Sequence, residues 1–148
     1  SSTGPFEREP PSGLSPCALD GTRILVVEDD FDNGEMLGEL LRAVGATVEI
    51  ARTAAHGMER IRKFRPHVLV SDISLPDKDG FAFVRELRAT GSEEGGWIPA
   101  IAISGHADPE VAREAILAGF QLHVPKPIDP PDLIARLTRL VGRTARRT

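Results

Sequence analysis

Short apolar runs alternate with longer segments of helical period from residue 23 onward. The runs are rich in β-branched and aliphatic residues and predict five strands, at Ile24 to Val27, Thr47 to Ala51, Val68 to Val70, Ala100 to Ile103 and Gln121 to Val124. Three of these strands are almost wholly apolar, as strands covered on both faces must be. The pattern therefore predicts a sheet buried between helices.

The segments between the strands carry apolar residues at helical spacing and begin at capping residues. The first helix has one apolar face, made by Met36, Leu37, Leu40, Leu41 and Val44. We predict that Asp32 caps its start and that Gly45 ends it. Two further helices are predicted over residues 53–64 and 80–89. The last two begin with aspartate followed by proline, a favoured helix start, at Asp108-Pro109 and Asp129-Pro130.

A regular (βα)5 alternation predicts an α/β domain in which a five-stranded parallel sheet has helices on both faces and right-handed crossovers. In such sheets the functional site lies beyond the carboxyl ends of the strands. The residues that directly follow the strands are therefore the first candidates for chemistry.

Length and composition suit one domain, since the chain has 148 residues of which 41% are hydrophobic. Residues 1–20 are rich in proline and glycine and are predicted to be a flexible leader or interdomain linker. The domain is predicted over residues 21–142, followed by a basic tail over residues 143–148. The apolar runs are far shorter than the roughly 20 residues that cross a bilayer, so we expect no membrane segment in this chain.

Charge and cysteine content narrow the class of protein. The net charge is −4 and the pI is about 5.6, which argues against a general nucleic-acid surface. The single cysteine, Cys17, cannot form an internal disulfide, and a cytoplasmic setting fits best.

Candidate site residues follow four of the five predicted strands. Glu28 and Asp29 follow the first strand, and the others are Asp72 after the third, Ser104 after the fourth and Lys126 after the fifth. Carboxylates gathered at one edge repel, since two unit charges about 4 Å apart cost roughly 4 kcal/mol at an effective dielectric near 20. A divalent ion with oxygen ligands, such as Mg²⁺, together with Lys126 would offset that repulsion.

These motifs resemble the receiver domain of two-component response regulators. The resemblance spans about residues 21–142 and rests on the Glu28-Asp29 pair, the segment "DISLPDKDG" that begins at Asp72, the hydroxyl of Ser104 and the Lys126-Pro127 step. It implies the flavodoxin-like strand order 2-1-3-4-5, which is established for members of this family.

The resemblance also implies roles for the acidic residues. Asp72 would be phosphorylated by a phosphohistidine on a histidine kinase or a histidine phosphotransfer domain. Asp29 and Asp72 would bind Mg²⁺, or alternatively Mn²⁺, directly, while Glu28 would act through water and Ser74 through its backbone carbonyl. The only catalysis implied is self-phosphorylation and slow autodephosphorylation.

The remaining site residues take their roles from the same resemblance. Lys126 and Ser104 would contact the phosphoryl oxygens, and Pro127 would follow a cis peptide. Ser104 and His123 would form the switch, although His123 stands where the family usually has tyrosine or phenylalanine. Glu28 replaces the commoner aspartate with the same charge. An equal alternative is that His123 is a partly exposed strand residue that takes no part in switching.

Other readings of the chain stay open. A degenerate receiver would serve only as a protein-interaction module, and a haloacid-dehalogenase-like phosphatase would need an acid where Ser74 stands. The parent protein is expected to be a membrane-associated hybrid sensor histidine kinase or, alternatively, a stand-alone regulator. A downstream protein would bind the face made by the fourth helix, fifth strand and fifth helix. Asp77 and Asp79 are read as turn residues and Trp97 as packed locally.

Overall fold

The computed structural model describes residues 17–91, 95–105 and 108–146, with side chains as far as residue 142. Five strands alternate with five helices along these residues. The strands are β1 (Arg23–Val27), β2 (Thr47–Ala51), β3 (Val68–Asp72), β4 (Ala100–Ser104) and β5 (Leu122–Pro125). The helices are α1 (Phe31–Arg42), α2 (Ala54–Phe64), α3 (Gly80–Arg88), α4 (Pro109–Ala118) and α5 (Pro130–Arg146). Within these stretches no helix combines the length and the apolar composition needed to cross a bilayer.

The strands all pair in parallel and form one sheet in the order β2-β1-β3-β4-β5. The (βα)5 fold class and the expected strand order are confirmed. Two strands extend further than the apolar runs indicated, because the ladder includes Asp72 opposite Ile103 and Ser104 opposite Pro125. Asp72 and Ser104 are therefore held by sheet pairing rather than lying in loops.

Alternate residues of the central strand β1 face opposite layers of helices. Ile24 and Val26 pack in one core cluster with residues of α1 and α5, whereas Leu25 and Val27 pack in a second cluster with residues of α2 and α3. All four side chains are fully buried. Each such burial contributes about 1.5–3 kcal/mol, so the strands hold the residues at their carboxyl ends firmly in place.

The N-cap of helix α1 lies two residues before the predicted one. The N-cap is Asp30, whose side chain accepts a hydrogen bond from the Asn33 N–H at 2.9 Å. The prediction of Asp32 was wrong because both positions carry a carboxylate, and only the short path from β1 to α1 selects between them. Asp32 lies instead in the first turn of α1, where its charge favours the positive end of the helix. Only residues 28–30 connect β1 to α1.

The described structure extends beyond residue 21 at one end and residue 142 at the other. Residues 17–20 form a turn in which Leu19 is 2% exposed, and its N–H donates to the Val44 carbonyl at 2.8 Å. Helix α5 continues to Arg146, past the boundary predicted for the tail. Most of the predicted leader, residues 1–16, lies outside the described residues, as do residues 147–148.

The indole of Trp97 is exposed to solvent. Its exposed fraction is 78%, and it lies in a turn that precedes β4. The expectation of local packing is wrong for Trp97, whereas the neighbouring Ile98, in the described part of this loop, packs against the core.

Candidate functional site

The carboxyl ends of four strands bring the predicted site residues to one edge of the sheet. Asp72 and Ser104 end β3 and β4, while Glu28 and Lys126 directly follow β1 and β5. The Lys126 N–H donates to the Ser104 carbonyl at 2.7 Å, which continues the pairing of β4 with β5 by one residue. The peptide between Lys126 and Pro127 is cis.

Three carboxylates meet at this edge. Glu28, Asp29 and Asp72 each offer an oxygen, and these oxygens lie within 4.8 Å of one another. Glu28 is 2% exposed and Asp72 is 8% exposed, whereas Asp29 is open to solvent. The cluster therefore has two fixed, nearly buried members and one member at its mouth.

The ammonium group of Lys126 lies between the two buried carboxylates. Its Nζ is 3.2 Å from Asp72 Oδ2 and 3.4 Å from Glu28 Oε1. Burial acts to lower the pKa of Lys126, but the negative charges of Asp72 and Glu28 outweigh it and raise the pKa above its ordinary value. Lys126 is thus a permanent cation at the edge of the sheet.

The buried position of Glu28 is electrostatically unfavourable for its ionised form. Burial, with Asp72 as a further contribution, raises the pKa of Glu28 to about 7, although its carboxylate accepts a hydrogen bond from the Asp30 N–H at 3.1 Å. A desolvated carboxylate beside a second one favours an added cation. Three hard oxygen donors of this kind fit Mg²⁺ or another divalent ion.

The carboxylate of Asp72 is oriented at both oxygens. Oδ1 accepts a hydrogen bond from the Ser74 N–H at 2.9 Å, while Oδ2 faces Lys126. The loop over residues 73–79 folds back tightly, since the Gly80 N–H donates to the Ile73 carbonyl at 2.8 Å. A Cβ at Gly80 would come within 2.7 Å of the Asp72 carbonyl oxygen, so only glycine fits there without a shift.

Ser104 and His123 are joined by a hydrogen bond. The Ser104 Oγ is 2.7 Å from His123 Nε2, and the serine side chain is buried at 1% exposure. Burial lowers the pKa of His123 below its ordinary value, so the ring is neutral near pH 7. The two residues predicted to form a switch are therefore in direct contact across β4 and β5.

Two residues near the site were not predicted from the sequence to act there. Arg52 directly follows β2 and reaches the loop over residues 28–30. Asp77, read as a turn residue, instead accepts hydrogen bonds from the N–H groups of Ala54 and Ala55 at 2.8 and 2.9 Å, at the start of α2. The place of Arg52 at the carboxyl end of a strand was the available signal, because the same rule located the other edge residues.

A parallel sheet of this order with acids and a lysine along one edge defines a class of α/β signalling domains. A family model described as the response regulator receiver domain matches residues 24–138. The chain belongs to the response regulator receiver domain family.

Curated relatives agree with this assignment. The response regulator MprA of Mycobacterium ulcerans is 34% identical over 122 residues, which are 82% of this chain and 51% of that protein. An uncharacterized 14.6 kDa protein from Leptolyngbya boryana is 36% identical over 111 residues, covering 75% of this chain and 83% of its own. The chain thus spans about half the length of the mycobacterial relatives it matches.

Solved structures show the same fold. A CheY-like receiver domain protein from Methanospirillum hungatei superposes with a TM-score of 0.77 at 26% identity, covering 86% of this chain and 98% of that one. The receiver domain of a sensor histidine kinase from Pseudomonas aeruginosa, with a magnesium ion coordinated in its active-site cleft, superposes with a TM-score of 0.75 at 29% identity. That match covers 82% of this chain and 98% of the Pseudomonas chain.

Proposed function

We propose that this domain is the phosphoacceptor of a two-component phosphorelay and that Asp72 accepts the phosphoryl group. The observation that carries the proposal is the fixed carboxylate of Asp72, which lies 3.2 Å from the Lys126 ammonium and 2.9 Å from the Ser74 N–H. Orienting a nucleophile in advance lowers the entropic part of the barrier. Asp72 is suited to attack because its oxygens are already held.

The transfer forms one bond and breaks one. A carboxylate oxygen of Asp72 attacks the phosphorus of a partner's phosphohistidine, and the phosphorus–nitrogen bond breaks with its electron pair going to the imidazole. Lys126 stabilises the negative charge on the phosphoryl oxygens during transfer. The domain's own activity is limited to this self-phosphorylation and to slow hydrolysis of the aspartyl phosphate.

The acidic cluster is the proposed site for Mg²⁺, with Mn²⁺ as an alternative. Asp29 and Asp72 would bind the ion directly, Glu28 through water, and Ser74 through its backbone carbonyl. When bound, the ion supplies positive charge that neutralises the transferring phosphoryl group. Support comes from the three converging carboxylates and from the magnesium ion in the cleft of the Pseudomonas receiver domain.

Mass spectrometry after incubation with acetyl phosphate and Mg²⁺ tests this proposal. The intact protein is expected to gain one phosphoryl group, and Asp72→Asn is expected to gain none because the nucleophile is absent. Asp32→Asn is the matched control, since Asp32 is an exposed carboxylate on α1 and should leave the gain unchanged. EDTA should abolish the gain. An intact protein that takes up no phosphoryl group would instead favour a degenerate receiver that acts only through protein contacts.

The bond between Ser104 and His123 is the proposed switch. The hydroxyl of Ser104 would turn toward a phosphoryl oxygen on Asp72. The imidazole of His123 would then lose or change its hydrogen bond, because its Nε2 lies 2.7 Å from that hydroxyl. An added phosphoryl group carries about −1.5 to −2 charge, which is sufficient to draw a hydroxyl donor.

Nuclear magnetic resonance of the imidazole nitrogens tests the switch. Phosphorylation is expected to shift the Nε2 resonance of His123 in the wild-type protein. In Ser104→Ala that resonance should start from a different position and no longer respond, since its partner is missing. His56, exposed on α2, serves as the internal control and should not respond in either protein. An unchanged response of His123 in Ser104→Ala would contradict the switch.

The proposed partners follow from the proposed chemistry. A histidine kinase or histidine phosphotransfer domain would donate the phosphoryl group in the cytoplasm. A downstream protein would bind the face of α4, β5 and α5, where Ile116 and Leu117 are exposed at 49% and 76%. The parent protein is proposed to be a hybrid sensor histidine kinase, as the Pseudomonas relative comes from a sensor kinase. A separate response regulator is the alternative, and the mycobacterial relatives support it.

A further inference from the structure

Arg52 is a residue of the sheet edge that the proposed phosphoryl transfer does not use. Its guanidinium crosses from the end of β2 to the short loop between β1 and α1. Nη1 lies 3.4 Å from the Glu28 carbonyl oxygen, 3.2 Å from that of Asp30 and 3.5 Å from that of Phe31. Nη2 donates to Glu35 Oε2 at 3.1 Å. One side chain therefore contacts the loop backbone on both sides of Asp29.

Helix α1 leaves space for this guanidinium. Gly34 is buried in the first turns of the helix, and a Cβ at this position would lie 2.5 Å from Arg52 Nη1. Glycine inside a helix costs about 1 kcal/mol relative to alanine, so its presence calls for a physical reason. The ring of Phe31, whose centroid is 4.8 Å from Arg52 Cζ, further confines the guanidinium.

The loop over residues 28–30 needs such a tether. It carries two carboxylates that meet a third from Asp72 within 4.8 Å, and like charges at this distance repel. The repulsion would push so short a loop away from β3. Hydrogen bonds from a cation to the loop carbonyls oppose that displacement without occupying any carboxylate oxygen of Glu28 or Asp29.

We infer that Arg52 is a positioning residue, which holds the backbone of the Glu28-Asp29 pair so that both carboxylates face Asp72. Gly34 contributes to this positioning because it leaves the space that the guanidinium fills. The inference rests on the proposed function, since it concerns the acidic pair of the same site, and Mg²⁺ is the probe for it.

Calorimetric titration with Mg²⁺ tests the inference on the full chain. Arg52→Ala is expected to weaken Mg²⁺ binding by about tenfold or more, the range found when groups that orient metal ligands are removed. Arg52→Lys should weaken it less, because an amine retains one contact. Gly34→Ala should weaken it in the same direction by displacing the guanidinium. Arg60→Ala is the control, since Arg60 pairs with Glu49 away from this loop.

Two further measurements separate positioning from a general loss of structure. In the acetyl phosphate reaction, Arg52→Ala should need more Mg²⁺ for half-maximal rate yet reach a near-normal rate at saturation. Hydrogen exchange of the amides at residues 28–31 should accelerate, while the exchange of β3 amides stays unchanged. A merely structural role would lower the maximal rate and loosen both segments.

The outcomes are distinguishable. Equal Mg²⁺ affinity of the wild-type protein and Arg52→Ala would overturn this inference alone. Uniformly faster exchange across the sheet in Arg52→Ala would also overturn it. A wild-type protein that neither binds Mg²⁺ nor accepts a phosphoryl group would overturn the proposed function, and the inference with it.

Discussion

At the residue scale, Glu28 is a charge placed where the fold alone would disfavour it. It is almost fully buried, and its contacts with Lys126 and the Asp30 N–H do not prevent burial and Asp72 from raising its pKa to about 7. A buried carboxylate whose pKa is raised opposes folding when it is ionised, and such strained groups are kept at functional sites at a cost in stability. The buried charge thus costs the fold stability, and the proposed cation would offset that cost.

Glu28→Gln tests this cost. In EDTA at pH 8 the variant is expected to have a free energy of unfolding higher by about 1–2 kcal/mol, because a carboxylate whose pKa is raised to about 7 destabilises the folded state when it is ionised. In excess Mg²⁺ the difference in free energy of unfolding between the variant and the wild-type protein should become smaller or change sign, since the wild-type protein is stabilised more by ion binding. Urea unfolding followed by circular dichroism measures both.

The exposed Glu114 on α4 provides the control for that experiment. Glu114→Gln should change neither value by more than about 0.5 kcal/mol. A destabilised Glu28→Gln in EDTA would show that the carboxylate is chiefly a structural partner of Lys126.

The sequence predicted which residues meet at this edge of the sheet wherever their position relative to a strand was sufficient. Glu28, Asp72 and Lys126 follow or end predicted strands, and parallel strands bring such residues to one edge. Arg52 was missed although it also follows a strand, because its contacts depend on the space beside Gly34. That space is a property of packing and leaves no mark in residue spacing.

At the element scale, Asp77 links the loop after Asp72 to helix α2. Its carboxylate accepts hydrogen bonds from the N–H groups of Ala54 and Ala55. Thr53 caps the same helix, since its hydroxyl oxygen accepts a hydrogen bond from the His56 N–H at 3.0 Å. These hydrogen bonds from Ala54 and Ala55 lower the pKa of Asp77 from its usual 3.8. The ionised carboxylate is therefore the form that the fold favours.

The sign of the pH dependence follows from that lowered pKa. A carboxyl group whose pKa is depressed on folding stabilises the fold above its unfolded pKa, and this contribution is lost as the pH falls through the folded value. Asp77→Asn should therefore have a lower urea midpoint than the wild-type protein at pH 7, and the difference should shrink below pH 3.8. Glu59→Gln, on the exposed face of α2, should show no such convergence. If the difference in urea midpoint between Asp77→Asn and the wild-type protein did not change with pH, the charge of Asp77 would not be the source of its stabilising effect.

The existence of each element was predictable, whereas some of the ends were not. Apolar periodicity marks the buried face of a strand or helix, and this signal is spread over many residues. An end depends on one cap, and Asp30 and Asp32 offer the same chemistry two residues apart. The link from Asp77 to α2 depends on the path of a whole loop, so an interpretation based on local turn chemistry alone did not predict it.

At the scale of the whole molecule, the lateral order of the strands came from family resemblance, because periodicity along a chain does not specify which strands are neighbours. The same limit explains Leu19. One apolar residue in a segment rich in proline and glycine has no periodic pattern, yet it is buried in the cluster that contains Val44 and α5. Residues 17–20 are thus part of the packed domain.

Leu19→Ala tests how strongly this turn belongs to the core. Truncating a buried leucine usually costs about 2–5 kcal/mol, and we expect the lower half of that range because the site lies at the edge of the cluster. Leu117→Ala is the matched control, since Leu117 is 76% exposed, and it should cost less than about 0.5 kcal/mol. Urea unfolding measures both, and equal losses would place the turn outside the cooperative core.

Trp97 lies before β4, at the opposite edge of the sheet from Asp72, and its side chain is already 78% exposed. The chain contains no tyrosine and no second tryptophan. Intrinsic fluorescence will therefore arise from an indole in water, at the other end of the strands from Asp72. An added quencher should reduce its emission efficiently. The emission should change little when the site at Asp72 changes or when the protein unfolds, so it is a poor measure of unfolding.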